Sequence, residues 1–312
     1  MRILFWGTPD FATPPLRALI GEGHDVVGVV TQPDRPRGRS RSRLESSPVK
    51  AVATDEGIPV LQPERPRGGE FLAQLRALEP DISIVVAYGH LLPDDVIHLP
   101  PLGTLNIHAS LLPALRGAAP IQAAIARGFT ETGVTVMRVI AALDAGPLVL
   151  ALPTPIERDE TAGELQLRLA ELGAEAIIEA LALVGLGRAV EAPQDDALAS
   201  YTRKIERADA RLSFGDAAEV VARLVRAFDP KPGAWSVLRG EEVQFFGGRP
   251  EQGRPGVPGE VVEAGEHGIV VACASGAVRI ADVHPAGKKR LAAAHWVRGR
   301  GVSVGDRFDP RP

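Results

Sequence analysis

Cysteine is nearly missing from this 312-residue sequence, in which Cys273 is the single example. One cysteine can form no internal disulfide and cannot build a multi-cysteine zinc site, so we expect a buried thiol in a reducing compartment. Apolar runs are short, and none reaches the roughly 18 residues that a membrane-spanning helix needs. The first run ends at Gly7 without the cleavage pattern of a secretory signal. These features predict a soluble, cytoplasmic protein with no membrane partner.

Several familiar catalytic motifs are also missing. The turn after the first apolar run, Gly7-Thr8-Pro9-Asp10, is neither a dinucleotide-binding fingerprint nor a phosphate-binding loop. The seven histidines show no His-Glu-x-x-His spacing, so no metal site is predicted. No serine stands in a nucleophile elbow. The sequence therefore does not indicate an ordinary hydrolase or dehydrogenase.

Short apolar runs alternate with helical patterns through the first 150 residues. Residues 2–6, 26–30, 82–86 and 104–108 have the two-sided apolar character of covered parallel strands. Helices are predicted between them, near residues 11–21, 47–56 and 70–78, and two further strands at 132–139 and 148–154. This rhythm predicts an α/β fold with a doubly wound, mostly parallel sheet of Rossmann type. Ligands of such sheets bind beyond the carboxyl ends of the strands.

The last third of the chain has a different pattern. Thr161 and Glu164 form a capping box that opens a long helix, and about five short strands follow residue 234. We predict a catalytic domain at 1–188, a linker at 189–206 and a small OB-like β-barrel domain at 207–312. Residues 207–312 carry 16 Lys and Arg against 13 Asp and Glu, whereas the whole chain has a net charge of −4. This asymmetry favours different partners for the two domains.

One polar pair lies at the end of a predicted strand. Asn106 and His108 are two residues apart, so their side chains lie on one face of that strand. An apolar loop follows directly, and its residues Ser110, Leu111, Leu112 and Pro113 suit a flat organic ligand. Asp144 lies in a later turn. The alternatives are a polar pair satisfied by backbone at the sheet edge and an aspartate that only shapes its turn.

A second unusual feature is a basic loop. Its five arginines alternate with Pro, Gly and Ser spacers: Arg35, Arg37, Arg39, Arg41 and Arg43. We expect the loop to lack regular structure and to contact nucleic-acid phosphates, although a solvated loop without a partner would have the same composition.

Taken together, eight short motifs resemble the methionyl-tRNA formyltransferase family in their number, order and spacing. They are GTPDFA at 7–12, TQPDRP at 31–36, SPVK at 47–50, VVAYG at 85–89, NIHASLLP at 106–113, RGAAPIQ at 116–122, LDAGP at 143–147 and PAGKKR at 285–290. The resemblance covers almost the whole chain.

The resemblance implies transfer of a formyl group from 10-formyltetrahydrofolate to the α-amino group of methionyl initiator tRNA. It implies a catalytic trio of Asn106, His108 and Asp144, and a folate-binding loop at Ser110, Leu111, Leu112 and Pro113. The arginine loop matches the family's tRNA-binding insertion, and the carboxyl-terminal barrel assists tRNA binding. We expect a monomer. Such a transfer passes through a tetrahedral oxyanion, which Asn106 and a protonated His108 could stabilise, and needs neither a metal nor a covalent enzyme intermediate.

Two other functions fit part of the same evidence. A related formyltransferase could act on glycinamide ribonucleotide or an amino-sugar nucleotide, but a small acceptor needs neither the arginine loop nor a basic second domain. A non-enzymatic RNA-binding protein on the same fold would not need the trio of Asn106, His108 and Asp144.

Overall fold

The computed structural model describes residues 1–37, 43–252 and 256–309. As far as residue 202, the helices and strands are, in chain order, β1 (Arg2–Gly7), α1 (Thr13–Gly21), β2 (Asp25–Val30), β3 (Arg35–Arg37), β4 (Arg43–Glu45), α2 (Pro48–Asp55), β5 (Val60–Leu61), α3 (Gly69–Ala77), β6 (Ile82–Val86), α4 (Asp94–Ile97), β7 (Thr104–His108), β8 (Arg116–Gly117), α5 (Pro120–Ala126), β9 (Glu131–Arg138), β10 (Leu148–Pro155), α6 (Ala162–Gly185) and β11 (Tyr201–Thr202). After residue 202 they are α7 (Ala218–Ala227), β12 (Ala234–Leu238), β13 (Glu241–Glu251), β14 (Val261–Gly265), β15 (Gly268–Ala272), β16 (Ala277–Pro285), β17 (Leu291–Ala292) and α8 (Ala293–Arg298).

The main sheet has the strand order β10-β9-β7-β6-β1-β2-β5. Strand β1 pairs in parallel with β2 and β6, and β7 continues the parallel set next to β6. The antiparallel strand β9 follows β7. Every residue of β6 is buried, as the two-sided apolar pattern predicts. The predicted doubly wound, mostly parallel sheet is confirmed.

The long helix α6 packs against β7 at a glycine. A Cβ atom on Gly173 would lie 3.2 Å from Cγ2 of Ile107, so the Ile107 side chain would have to shift by a few tenths of an ångström to accept a larger residue. The predicted capping box is present at the start of α6. There the Glu164 amide donates to the Thr161 hydroxyl at 3.2 Å, and the Thr161 amide donates to the Glu164 carboxylate at 2.9 Å.

Strands β12, β13, β16, β15 and β14 form an antiparallel sheet in that order. Phe308 bridges to the end of β12 at Leu238, and its neighbour Arg307 bridges to Glu260 beside β14. One segment therefore joins both edges of the sheet and closes it into the predicted small barrel. Phe214, Phe245 and Phe308 meet in the barrel core with ring centroids 5.0–6.0 Å apart.

The chain folds into two compact units, and each is built from segments that are separate in sequence. One comprises 1–117, 132–155 and 166–202, and the other comprises 118–131, 156–165 and 203–312. The second unit thus takes two short segments from the range that the sequence analysis gives to the catalytic domain, and one of these contains α5. Helix α5 was not predicted, although Pro120 occupies its first turn, a position that proline favours.

The segment predicted as a linker, 189–206, is built into the first unit as far as residue 202. Ala192 bridges to Leu148, and β11 pairs in parallel with β8. The lack of hydrophobic periodicity in this segment suggested a linker, but its polar side chains and backbone make hydrogen bonds that the sequence pattern does not reveal. No helix of the described part of the chain is long and apolar enough to cross a membrane.

Candidate active site

Asn106 and His108 lie on β7 between the parallel strand β6 and the antiparallel strand β9. In the register of the sheet Asn106 pairs with Val85 and Met137, and His108 pairs with Thr135. His108 is buried, whereas Asn106 is partly exposed. Because Asn106 is partly exposed near the carboxyl end of β7, its side-chain amide remains accessible to a ligand.

The hydrogen bonds of His108 determine which ring nitrogen carries its proton. Its Nε2 lies 3.0 Å from the Leu115 carbonyl oxygen, which can only accept, so Nε2 carries the hydrogen and donates it. The other nitrogen, Nδ1, lies 3.7 Å from Oδ2 of Asp144. Burial lowers the pKa of His108, while Asp144 and the bond to Leu115 act in the opposite direction. Burial thus favours the neutral ring, and with the hydrogen on Nε2 the other nitrogen, Nδ1, faces Asp144.

Asp144 reaches His108 from the turn between β9 and β10. Its Oδ2 accepts a hydrogen bond from the Gly117 amide at 2.8 Å, and its backbone has the left-handed φ of 50°. No larger residue fits in place of Gly146, two residues later, because an added Cβ would lie 1.9 Å from the Arg138 carbonyl oxygen. The turn thus brings the carboxylate next to the buried imidazole, as a catalytic role of Asp144 requires.

The loop after β7 is fixed by its own polar groups. Ser110 is buried, and its hydroxyl donates to the Ala114 carbonyl at 2.6 Å. Thr135 of β9 donates to the Ser110 carbonyl and accepts from the Leu112 amide. Leu111 and Pro113 remain partly exposed. The loop is therefore rigidly attached to the strands that hold the polar pair, and its folate-binding role stays a prediction.

A buried arginine connects this region to the segment beyond α6. Arg116 has a side chain that is 2% exposed. Its guanidinium donates to Gln194 Oε1 at 2.8 and 3.0 Å, to Asp196 at 2.8 Å and to the Tyr201 hydroxyl at 3.2 Å. The sequence analysis missed these partners, because a single Gln, Asp or Tyr in an aperiodic segment carries no local signal of its distant contact.

The glycine after Arg116 allows a close approach of the chain to itself. A Cβ on Gly117 would lie 2.1 Å from the Thr202 carbonyl oxygen. The close neighbour is the chain's own strand β11, which pairs with β8 at this point.

Comparison with known proteins identifies the family. The formyl transferase model matches residues 1–181, and the model of the formyl transferase C-terminal domain matches residues 204–301. Methionyl-tRNA formyltransferase of Pseudomonas fluorescens is 47% identical over 93% of this chain and 91% of its own length. The corresponding protein of Aromatoleum aromaticum is 47% identical over 99% of this chain and 97% of its own. The chain belongs to the methionyl-tRNA formyltransferase family.

A solved structure shows the same fold at lower sequence identity. The N-formyltransferase of Helicobacter canadensis, in complex with folinic acid and dTDP-3-aminofucose, has a TM-score of 0.69 and 16% identity. The match covers 93% of this chain and all of that protein. The fold alone therefore does not select the acceptor, whereas the high identity to methionyl-tRNA formyltransferases over both domains does. The predicted membership of this family, the fold class and the enzyme class are confirmed.

In this member of the family the ends of the arginine loop have regular structure. Arg35–Arg37 and Arg43–Glu45 pair as the antiparallel strands β3 and β4, with Arg37 opposite Arg43. The expectation of a loop without regular structure is wrong for these ends, since a hairpin edge tolerates the proline at position 36. Arg35 is exposed. Arg39 and Arg41 lie outside the described residues, so the contacts predicted for them stay a prediction.

Side chains on either side of the hairpin hold its base. Lys50 donates to Asp34 at 2.6 Å and to Gln62 at 2.8 Å, and Gln62 in turn donates to Asp34 at 2.8 Å. The Thr31 and Ser47 hydroxyls lie 2.7 Å apart. Both strands of the hairpin therefore begin or end beside a polar cluster, which is formed by the segments that follow β2 and β5 and by the start of α2.

Metal-binding residues do not cluster in the described ranges, where no group of three or more His, Cys, Asp or Glu could hold an ion. Cys273 is buried, and burial raises the pKa of its thiol to about 12. It has the environment expected of a structural cysteine.

Proposed function

We propose that Asn106, His108 and Asp144 catalyse the reaction of this enzyme, which transfers the formyl group of 10-formyltetrahydrofolate to the α-amino group of methionyl initiator tRNA. The products are tetrahydrofolate and N-formylmethionyl-tRNA, the form used in translation initiation. The observation that carries this proposal is the buried imidazole of His108, whose Nε2 is bonded to the Leu115 carbonyl and whose Nδ1 faces the Asp144 carboxylate at 3.7 Å.

The arrangement suits removal of a proton from an attacking amine. The amine of an aminoacyl ester is far less basic than that of lysine, so much of it is neutral near pH 7. Nδ1 of His108 and Oδ2 of Asp144 are two acceptors at a separation longer than a hydrogen bond, and they are well placed to receive hydrogens from an amine directly or through water. The amine nitrogen bonds to the formyl carbon, and its proton passes to Nδ1.

The same residues then stabilise and resolve the intermediate. Asn106 donates its amide hydrogens to the oxyanion that forms on the formyl oxygen. Asp144 stabilises the imidazolium of His108 while that ring holds the proton. The bond between the formyl carbon and the folate N10 breaks, and N10 takes the proton from His108. His108 thereby returns to its starting protonation state, the oxyanion charge is lost as the carbonyl re-forms, and no covalent enzyme intermediate forms.

Binding of the two substrates is assigned to different parts of the chain. Ser110, Leu111, Leu112 and Pro113 contact the folate, next to the polar pair on β7. The arginine loop, with Arg35, Arg37, Arg39, Arg41 and Arg43, contacts phosphates near the aminoacyl end of the tRNA. The domain at 207–312 assists tRNA binding. The enzyme acts as a monomer in the cytoplasm, where charged initiator tRNA is made and used.

The test is a comparison of acceptors and of two alanine variants. The protein with 10-formyltetrahydrofolate should formylate methionyl-tRNA but neither glycinamide ribonucleotide nor an amino-sugar nucleotide. Asn106→Ala should lower kcat by about 10²-fold or more, because comparable sites lose roughly 10²–10³ with one oxyanion donor. His108→Ala should lower it by about 10²-fold or more as well, because a positioned general base contributes roughly 10²–10⁴-fold. Circular dichroism and thermal melting serve as the folding control. A folded His108→Ala variant with near-normal turnover would remove His108 from the mechanism.

A further inference from the structure

Gln194 contacts the Asp144 turn from the segment beyond α6. Its side-chain nitrogen Nε2 donates to the Asp144 carbonyl at 2.9 Å and to the Gly146 carbonyl at 2.8 Å. Nε2 thus gives its two hydrogens to carbonyls on either side of Ala145 in one turn. Gln194 is 48–50 residues away in sequence, so these bonds tie the turn to a separate part of the unit.

The orientation of the Gln194 amide is fixed by Arg116. Two guanidinium nitrogens of that buried side chain donate to Oε1 of Gln194, which leaves only Nε2 to face the turn. An oxygen that accepts from a cation also polarises the amide and strengthens its N–H donors. Arg116 is itself held by Asp196 and Tyr201, so the amide rests on a rigid base.

The turn needs such an anchor because its own backbone is unfavourable. Asp144 has a positive φ, a left-handed conformation that non-glycine residues seldom adopt and that surrounding contacts must hold. The Asp144 side chain is held at one point, by the Gly117 amide. Gln194 holds the main chain of the turn at two further points, and together these hydrogen bonds define where the Asp144 carboxylate lies relative to His108.

We propose that Gln194 is a positioning residue for formyl transfer, which fixes the main chain of the Asp144 turn so that the carboxylate stays within reach of His108. This inference rests on the proposed role of Asp144. Only glutamine satisfies both sides of the contact, because the position needs an acceptor for Arg116 and two donors for the turn.

Two variants separate this role from a general effect on folding. Gln194→Glu keeps the side-chain length and the contact to Arg116 but replaces both donors with a carboxylate oxygen that repels the two carbonyls. Gln194→Met keeps the length without charge or donors. Gln74→Glu is the matched control, since Gln74 lies exposed on α3. Each variant is compared with Asp144→Asn in steady-state assays with methionyl-tRNA and 10-formyltetrahydrofolate.

We expect kcat to fall about 10- to 100-fold in both Gln194 variants, because displacement of a catalytic group by about 1 Å can cost 10²-fold. KM for both substrates should change less than about threefold, and the control should behave as wild type. Burial lowers the pKa of His108, and Asp144 is the charged group that opposes this lowering. A second carboxylate beside it in Gln194→Glu should move the acid limb of the kcat profile to higher pH, and Gln194→Met should not show that move.

The results also distinguish this proposal from the one on which it rests. Wild-type kcat in both folded Gln194 variants, together with a strong loss in Asp144→Asn, would overturn the positioning role and leave Asp144 in the mechanism. A fall in kcat that matches the loss of folded protein, with no movement of the acid limb in Gln194→Glu, would also overturn it. Full turnover in Asp144→Asn would overturn the proposed role of Asp144 and the positioning role together.

Discussion

The substitution Asp144→Asn tests the charge at the centre of the mechanism with little change in shape. Asparagine can keep the hydrogen bond to the Gly117 amide through its carbonyl oxygen, so the turn should hold. What it removes is the negative charge 3.7 Å from Nδ1 of His108. We therefore expect the variant to fold and to bind 10-formyltetrahydrofolate normally but to transfer the formyl group slowly.

The size of the effect follows from the distance. Two unit charges about 4 Å apart interact by about 4 kcal/mol at an effective dielectric constant of about 20. The imidazolium charge is only partly developed in the transition state, so about half of this energy, about 2 kcal/mol, is the smallest loss we expect. That corresponds to a fall in kcat of about 30-fold, and full charge development would give about 10³-fold.

The assay is single-turnover formylation of methionyl-tRNA, with folate affinity measured separately by fluorescence. Asp55→Asn is a suitable control, because Asp55 is an exposed carboxylate at the end of α2. A variant that loses folate affinity but keeps its single-turnover rate would show that Asp144 only shapes its turn, and the mechanism proposed above would be wrong.

Three further predictions concern the arginine loop, the buried histidine and a glycine. Replacing Arg37, Arg39 and Arg41 together by Ser should weaken tRNA binding. The slope of log affinity against log salt concentration should flatten by up to about two units, at roughly 0.7 per phosphate contact. An unchanged slope would mean that the loop makes no phosphate contacts. Folate affinity should stay the same. Burial lowers the pKa of His108 in the folded state, so the unfolded chain binds its proton more readily, and this site should lower the free energy of unfolding as pH falls below about 6.5. In urea titrations between about pH 7.5 and 5, the free energy of unfolding should decline less in His108→Gln than in the wild type. Equal declines in the two proteins would contradict the assignment of a neutral ring. Gly117→Ala should lower the stability by about 2 kcal/mol or more, seen as a lower Tm, because its Cβ would meet a backbone carbonyl at 2.1 Å; an unchanged Tm would mean that β8 and β11 can separate without cost.

Local patterns in the sequence were sufficient for most of the fold. Strands such as β6 and β7 were predicted with their observed bounds, because a strand covered on both faces must be apolar throughout. The start of α6 could be read from its capping box, because that motif acts within four residues. The motif NIHASLLP also marked the end of β7 as a candidate site, since it places a polar pair at the end of an apolar strand.

Tertiary structure decided what depends on residues far apart in the chain. It placed Asp144 beside His108, it selected the neutral tautomer through Leu115, and it turned an aperiodic linker into the support for the Asp144 turn through Gln194. It also showed the ends of the arginine loop to be a hairpin. A hydrogen bond between residues 50 positions apart leaves no periodicity in the sequence, because its two partners are single polar residues whose meeting is set by the packing of the sheet. The sequence therefore indicated which residues could form the site, and only the packed chain determined the geometry that brings them together.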